Sequence, residues 1–142
     1  MSNDINLDKE AVLAELRRRQ ALKSQPKKLF NFEEYCFPAQ IKFFRNKGPR
    51  FRTAVCSRRA GKTVGIAADM IDTATTEKSV RLLYLTLSKR NARSIVWGDL
   101  MKIIEDYKIP CKTNQVEMSI KFENGSFINI EGAKDKTEAE KY

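Results

Sequence analysis

Gly61-Lys62-Thr63 combines a flexible backbone, a cation and a hydroxyl in the order that suits a polyphosphate and its magnesium ion. The three residues close the stretch Cys56-Ser57-Arg58-Arg59-Ala60-Gly61-Lys62-Thr63. N–H groups at a helix N-terminus point at an anion, and the helix dipole favours negative charge there. In such a loop the Lys62 amine reaches the β- and γ-phosphates, and the Thr63 hydroxyl is a ligand for Mg²⁺. Gly61 lets the backbone approach the phosphates closely. Cys56 stands where the common pattern begins with glycine, and Arg58 and Arg59 are unusual in such a loop. The plain alternative is a basic turn before a helix, with Gly-Lys-Thr arising by chance.

Positioning this loop needs a strand before it and a helix after it. The apolar run Thr53-Ala54-Val55 precedes it and is expected to form a strand over 53–56. Val64, Ile66, Ala67, Met70, Ile71 and Ala74 follow with helical spacing over 62–74. Val80 to Leu87 is a continuous β-favouring run, expected to be a buried parallel strand beside 53–56. Ser88 should cap a long helix that buries Ala92, Ile95, Val96, Leu100, Ile103 and Ile104 and ends near Tyr107, before Pro110. The order β-α-β-α argues for an α/β sheet with the loop after its first strand.

The flanking segments differ in character. Residues 7–24 read as a basic amphipathic helix, with Asp8 and Glu10 early and Arg17, Arg18, Arg19 and Lys23 late, as the helix dipole favours. It either docks a partner or forms a solvated cap, and Gln25-Pro26-Lys27-Lys28 reads as a linker. Residues 1–28 are thus set apart from a domain over 29–142. Residues 29–47 are rich in aromatics, and Pro38 starts a helix with Ile41, Phe44 and Phe43 directed inward. Val116, Met118, Ile120 and Phe122 alternate with polar residues, and Asn124-Gly125 marks a hairpin returning through Phe127, Ile128 and Ile130. A two-residue loop would put the apolar sets on opposite faces. An odd loop pairing Phe122 with Ile128 and Ile120 with Ile130 keeps them together, and is preferred.

Hydrophobic residues make up 42% of the chain, enough for a core. No apolar run approaches the ~20 residues of a membrane span, and the polar Met1-Ser2-Asn3-Asp4 start is unlike a signal peptide. Cys36, Cys56 and Cys111 are read as free thiols in a reducing compartment. The absence of histidine excludes histidine-based catalysis and histidine-ligated zinc. The formal charge of +9 is unevenly spread: residues 1–62 hold 15 Lys/Arg against 6 Asp/Glu, and residues 63–142 hold 12 of each. A basic surplus confined to the first part suits a polyanion, whether nucleotide or nucleic acid, although a merely solvated basic face explains it as well.

Several stretches together resemble the N-terminal ATPase domain of bacteriophage large terminases, the motors that package DNA. Phe37-Pro38-Ala39-Gln40 resembles that family's adenine-recognition segment, in which a glutamine reads the base edge. Arg58-Arg59-Ala60-Gly61-Lys62-Thr63 resembles its arginine-containing phosphate loop. Tyr84-Leu85-Thr86-Leu87-Ser88, with Ala92 and Ile95-Val96-Trp97, resembles its second strand and helix. Phe122-Glu123-Asn124-Gly125-Ser126 and Ile130-Glu131-Gly132-Ala133 resemble its hairpin and the segment after it. The resemblance covers about residues 30–142.

It implies a P-loop NTPase-type, three-layer, mainly parallel α/β sheet with a β-hairpin addition. It also implies ATP and Mg²⁺ as ligands, held by Gln40, Arg58, Arg59, Ala60, Gly61, Lys62 and Thr63, with Thr63 on the metal. Either Arg58 or Arg59 would contact or sense the γ-phosphate. The implied partners are double-stranded DNA, the portal, the small terminase subunit and further copies in a ring, in the cytoplasm of a bacterial host and encoded by phage or prophage. The family's strand ending in Asp-Glu has no counterpart here, and Asp135, Glu138 and Glu140 lie on a polar stretch without a preceding apolar strand. A truncated ATPase domain, without its nuclease domain, is therefore expected to bind ATP rather than hydrolyse it. The competing readings are a helicase-like ATPase fragment and a basic nucleic-acid- or protein-binding adaptor that uses no nucleotide.

Overall fold

A computed structural model describes residues 12, 15, 30–46 and 48–133. Of the helix expected over 7–24, only Val12 and Glu15 are described, and both are helical. The rest of that helix, the linker 25–28 and the segment 134–142 with Asp135, Glu138 and Glu140 lie outside the described residues.

Two short helices open the described domain, α1 (Phe32–Tyr35) and α2 (Pro38–Phe44). The Asn31 side chain caps α1 by accepting from Glu33 N–H, and Pro38 starts α2 with its fixed φ. Ile41 and Phe44 pack half-buried against the core, as expected; the fully buried residue of α2 is Gln40, and Phe43 is half-buried. Helix α3 (Lys62–Thr76) buries Gly65, Ala67, Ala68, Met70, Ile71 and Ala74. Strand β1 (Arg81–Thr86) leads into α4 (Lys89–Ala92), a π-helical turn at Arg93–Trp97 and α5 (Gly98–Asp106). The Ser88 hydroxyl accepts from Asn91 N–H at 3.2 Å, as its type before a helical run predicts. The π turn lets Val96 and Trp97 enter the core and leaves Ile95 43% exposed, against its expected inward position. Strands β2 (Cys111–Asn114), β3 (Ser119–Phe122) and β4 (Phe127–Gly132) complete the domain.

The sheet order is β1-β4-β3-β2. Only β1 and β4 run parallel, with Leu82 opposite Ile128 and Tyr84 opposite Ile130. The β2–β3 and β3–β4 pairs are antiparallel. The general α/β class holds, but the sheet is mixed rather than mainly parallel. Its described helices pack on one face rather than two. They share one core with Ile120, Phe122, Ile128 and Ile130, while Leu83 and Leu85 on the other face stay 42% and 44% exposed.

Residues 53–56 form no strand beside β1. All four are exposed, Val55 at 99%. The hairpin arm β4 takes the place beside β1, because its six residues bring Ile128 and Ile130 into the core where Thr53-Ala54-Val55 offers only a short apolar run. Arg52 ties the start of the segment to the end of α2, donating to the carbonyls of Phe43 at 3.1 Å and Phe44 at 2.6 Å.

The hairpin uses an odd loop, Glu123-Asn124-Gly125. Gly125 N–H donates to Phe122 O, and Gly125 takes φ 85°, a conformation glycine adopts without strain. Its register, Ile120 opposite Ile128 and Lys121 opposite Phe127, is offset by two residues from the expected pairing but keeps the same buried face. An even offset preserves the face because side chains alternate with period two. Val116 lies outside the strand and is 84% exposed. The strand β2 that pairs with β3 was not foreseen, since Cys111-Lys112-Thr113-Asn114 carries almost no apolar alternation.

Asn124 joins this turn to the end of α3. Its Nδ2 donates to the carbonyls of Ala74 at 2.7 Å and Glu77 at 2.9 Å, and its Oδ1 accepts from Ser126 N–H at 3.0 Å. Asn124→Ala removes all three contacts. The expected loss is about 2 kcal/mol, seen as a lower urea midpoint at unchanged m-value. An unchanged midpoint would show that water replaces the amide without cost.

Candidate phosphate-binding loop

The loop and the helix behind it form as the residue types require, although the strand before them does not. Arg58, Arg59 and Ala60 make a tight turn, with Arg59 at φ 63° and Gly61 at φ 69°. Two left-handed residues within three positions fold the backbone back on itself. Gly61 is then the N-cap of α3, and its carbonyl accepts the first helical bond from Gly65 N–H at 3.0 Å. Lys62 and Thr63 are the first two residues of the helix, so their N–H groups belong to the unpaired set at its positive end.

The Lys62 Nζ donates to the Ser57 carbonyl at 2.7 Å. The amine is thus folded over the loop's own turn, where an anion held by the loop would meet it. Thr63, Ala60 and Gly61 are half-buried, and Arg58 and Arg59 are exposed. This arrangement fits a polyphosphate: one cation over the turn, two exposed arginines on it, and a hydroxyl on the first turn of α3 for a metal ion.

Gln40, 21 residues earlier in the chain, is brought to the loop. Its Nε2 donates to the Gly61 carbonyl at 2.7 Å, and its Oε1 accepts from Phe37 N–H at 3.1 Å. The contact is close because two glycines make room. A Cβ on Gly61 would stand 3.0 Å from Gln40 Nε2 and 3.1 Å from the Phe37 ring. A Cβ on Gly65 would stand 2.8 Å from the Phe44 ring and 2.9 Å from Gln40 Nε2. Gly65, one turn after Gly61, was missed in the sequence because a lone helical glycine carries no signal of what lies against it. Phe37 stays 47% exposed beside Gly61.

Further along α3 the chemistry is structural. Asp72 pairs with Arg45 at 2.8 Å, and this hydrogen bond raises the Arg45 pKa above its ordinary value. The Arg45 guanidinium also lies 4.4 Å from the centre of the Phe32 ring. Burial, helped by the charge of Asp69, pushes the Cys36 thiol up to about 11, which suits an inert core thiol. At the ends of the parallel pair, Lys89 holds Glu131 at 3.1 Å. Among the described residues, no three His, Cys, Asp or Glu side chains cluster as a metal site, and no helix is long and apolar enough to cross a membrane.

Compared with models of protein families, with curated proteins and with solved structures, the chain matches none.

Proposed function

We propose that this chain is the N-terminal ATP-binding segment of a DNA-packaging motor of the large-terminase type. The observation that carries the reading is the Gln40–Gly61 hydrogen bond. It brings together two of the stretches that resemble that family, Phe37–Gln40 and Arg58–Thr63. Lys62 binds the β- and γ-phosphates, Thr63 binds Mg²⁺ and Arg58 or Arg59 meets the γ-phosphate. Double-stranded DNA is the polyanion that the surplus over residues 1–62 attracts, while portal, small terminase subunit and further copies are the partners of the intact motor.

Binding and turnover separate in this reading. Phosphoryl transfer needs an oriented water and a second anchor for the metal. On the helix after the loop, Asp72 is held by Arg45. Loss of a general base alone costs on the order of 10²–10⁴-fold in rate. Residues 1–142 are expected to bind Mg·ATP weakly in calorimetry and to release no phosphate above background. Robust hydrolysis would show that a catalytic carboxylate acts at the loop. In the same preparation, duplex DNA should bind without sequence preference and dissociate steeply with salt. No DNA binding even at low ionic strength would remove that partner.

A second reading, a basic adaptor that uses no nucleotide, is favoured by the exposed segment before the loop. Phe51 is 81% exposed with the Arg50 guanidinium 5.2 Å from its ring centre, and Val55 is 99% exposed. DNA binding that survives Lys62→Ala, together with no response to ATP, would select it.

A further inference from the structure

We propose that the end of the sheet where β1 and β4 finish is a surface for the phosphates of duplex DNA, with Arg90 and Arg93 as its contacts; this rests on the DNA-binding reading above. The topology brings two basic stretches to this end. Asn124, in the turn before β4, donates to the carbonyls of Ala74 and Glu77, so α3 finishes where β4 begins. Helix α3 packs on β1 and β4, and its 15 residues span about 22 Å against about 20 Å for the six of β1. The start of α3, with Arg58, Arg59 and Lys62, therefore lies where the two strands finish. The chain leaves β1 there through Ser88 into α4, and Gly132, the last residue of β4, packs against the backbone of Ser88 and Lys89. Lys89, Arg90 and Arg93 thus stand at the same end as the loop.

The neutral balance of residues 63–142 conceals this surface. Residues 78–98 hold Lys78, Arg81, Lys89, Arg90 and Arg93 and no Asp or Glu. Lys89 is held by Glu131 at 3.1 Å. Arg90 and Arg93 are exposed and three positions apart, hence neighbours on the surface of the helical run. Arg93 donates to the Gln115 carbonyl at 2.6 Å, which sets it beside the turn between β2 and β3. Asn91 and Ser94 are exposed between and beside them. The carboxylates described at this end, Glu117 and Glu131, are fewer than its cations. At the opposite end the signs are mixed, with Glu77, Glu105, Asp106 and Glu123 among Lys78, Lys108 and Lys112. Exposed arginines on a convex helical surface suit an extended chain of phosphates, and such contacts position a duplex without reading its sequence.

The test measures binding of a mixed-sequence DNA duplex by fluorescence anisotropy over a series of salt concentrations. The wild-type chain is compared with Arg90→Ala, with Arg90→Ala plus Arg93→Ala, and with Lys78→Ala plus Lys112→Ala. The two double variants have equal net charge but lose it at opposite ends of the sheet. Losing both arginines should lower the slope of log K against log salt by about 2 and the affinity at low salt by about tenfold. Arg90→Ala alone should take about half of that slope change, and it leaves the Arg93–Gln115 bond in place if the double variant folds poorly. The lysine pair should stay within about twofold of wild type in affinity, as its charges lie away from the duplex.

Equal losses in the two double variants would show that net charge alone acts, and would overturn the proposal. Wild-type affinity and slope in both arginine variants would overturn it while leaving the DNA-binding reading standing. A wild-type chain that binds no duplex even at low salt would overturn both.

Discussion

Lys62→Ala is expected to weaken Mg·ATP binding about a hundredfold while leaving the melting temperature nearly unchanged. A hydrogen bond to a charged group contributes roughly 1.5–3 kcal/mol, and the upper part of that range corresponds to about two powers of ten. Lys62 is exposed, and its described hydrogen bond is to the Ser57 carbonyl, on a loop that water reaches. Removing the amine therefore costs the fold little. The loop carries two other cations, Arg58 and Arg59, but both lie exposed on the turn and neither is folded over it as Lys62 is. Lys62→Ala and a double Arg58→Ala, Arg59→Ala variant should differ in salt dependence. The exposed arginines act through screened charge, so the double variant should lose affinity mainly at low ionic strength. Calorimetry at two salt concentrations separates the two. ATP binding undiminished by Lys62→Ala would take the loop out of the mechanism.

The parts of this site that were legible in the sequence are those fixed by local chemistry. Gly61 at a helix start, Ser88 before a helical run, Pro38 at the first position of α2 and Gly125 in a tight turn each do what their own backbone or side chain dictates. The helix after the loop follows from periodicity alone. What was not legible depends on partners distant in the chain. Thr53-Ala54-Val55 has the composition of a strand, but a strand needs a neighbour, and β4 occupies the place beside β1. Cys111–Asn114 has little strand character of its own and becomes β2 because β3 supplies the ladder. The hairpin face was readable from the alternation of Ile120, Phe122, Ile128 and Ile130. Its register, set by the three-residue loop, was not. Gln40 was singled out only through the family resemblance, as the glutamine of an adenine-recognition segment. That its amide faces the Gly61 carbonyl depends on the space left by Gly61 and Gly65, which no spacing rule encodes.

Two glycine substitutions should move stability in opposite directions, and the larger effect lies at the end of the parallel strand pair. Gly132 closes β4 opposite Thr86. A Cβ there would stand 2.6 Å from Lys89 N and 3.0 Å and 3.1 Å from Ser88 C and Cα, all backbone atoms. They cannot turn aside as a side chain would. Ser88 is the cap of α4, and Lys89 is held by Glu131, the neighbour of Gly132. Relief must therefore come from moving α4 away from the sheet, which disturbs the cap, the ion pair and the Ala133 N–H bond to the Thr86 carbonyl together. Gly132→Ala should cost about 3 kcal/mol and lower the melting temperature by roughly 10 °C. Gly98 provides the contrast. It opens α5 with φ −60° and ψ −43°, and a Cβ there meets nothing within 4 Å. Gly98→Ala should stabilise by about 0.5–1 kcal/mol, through helix propensity and a less flexible unfolded chain. Thermal melts of the two variants beside wild type check both signs. A Gly132→Ala protein as stable as wild type would mean that the β1–α4 turn does not pack against β4 as described.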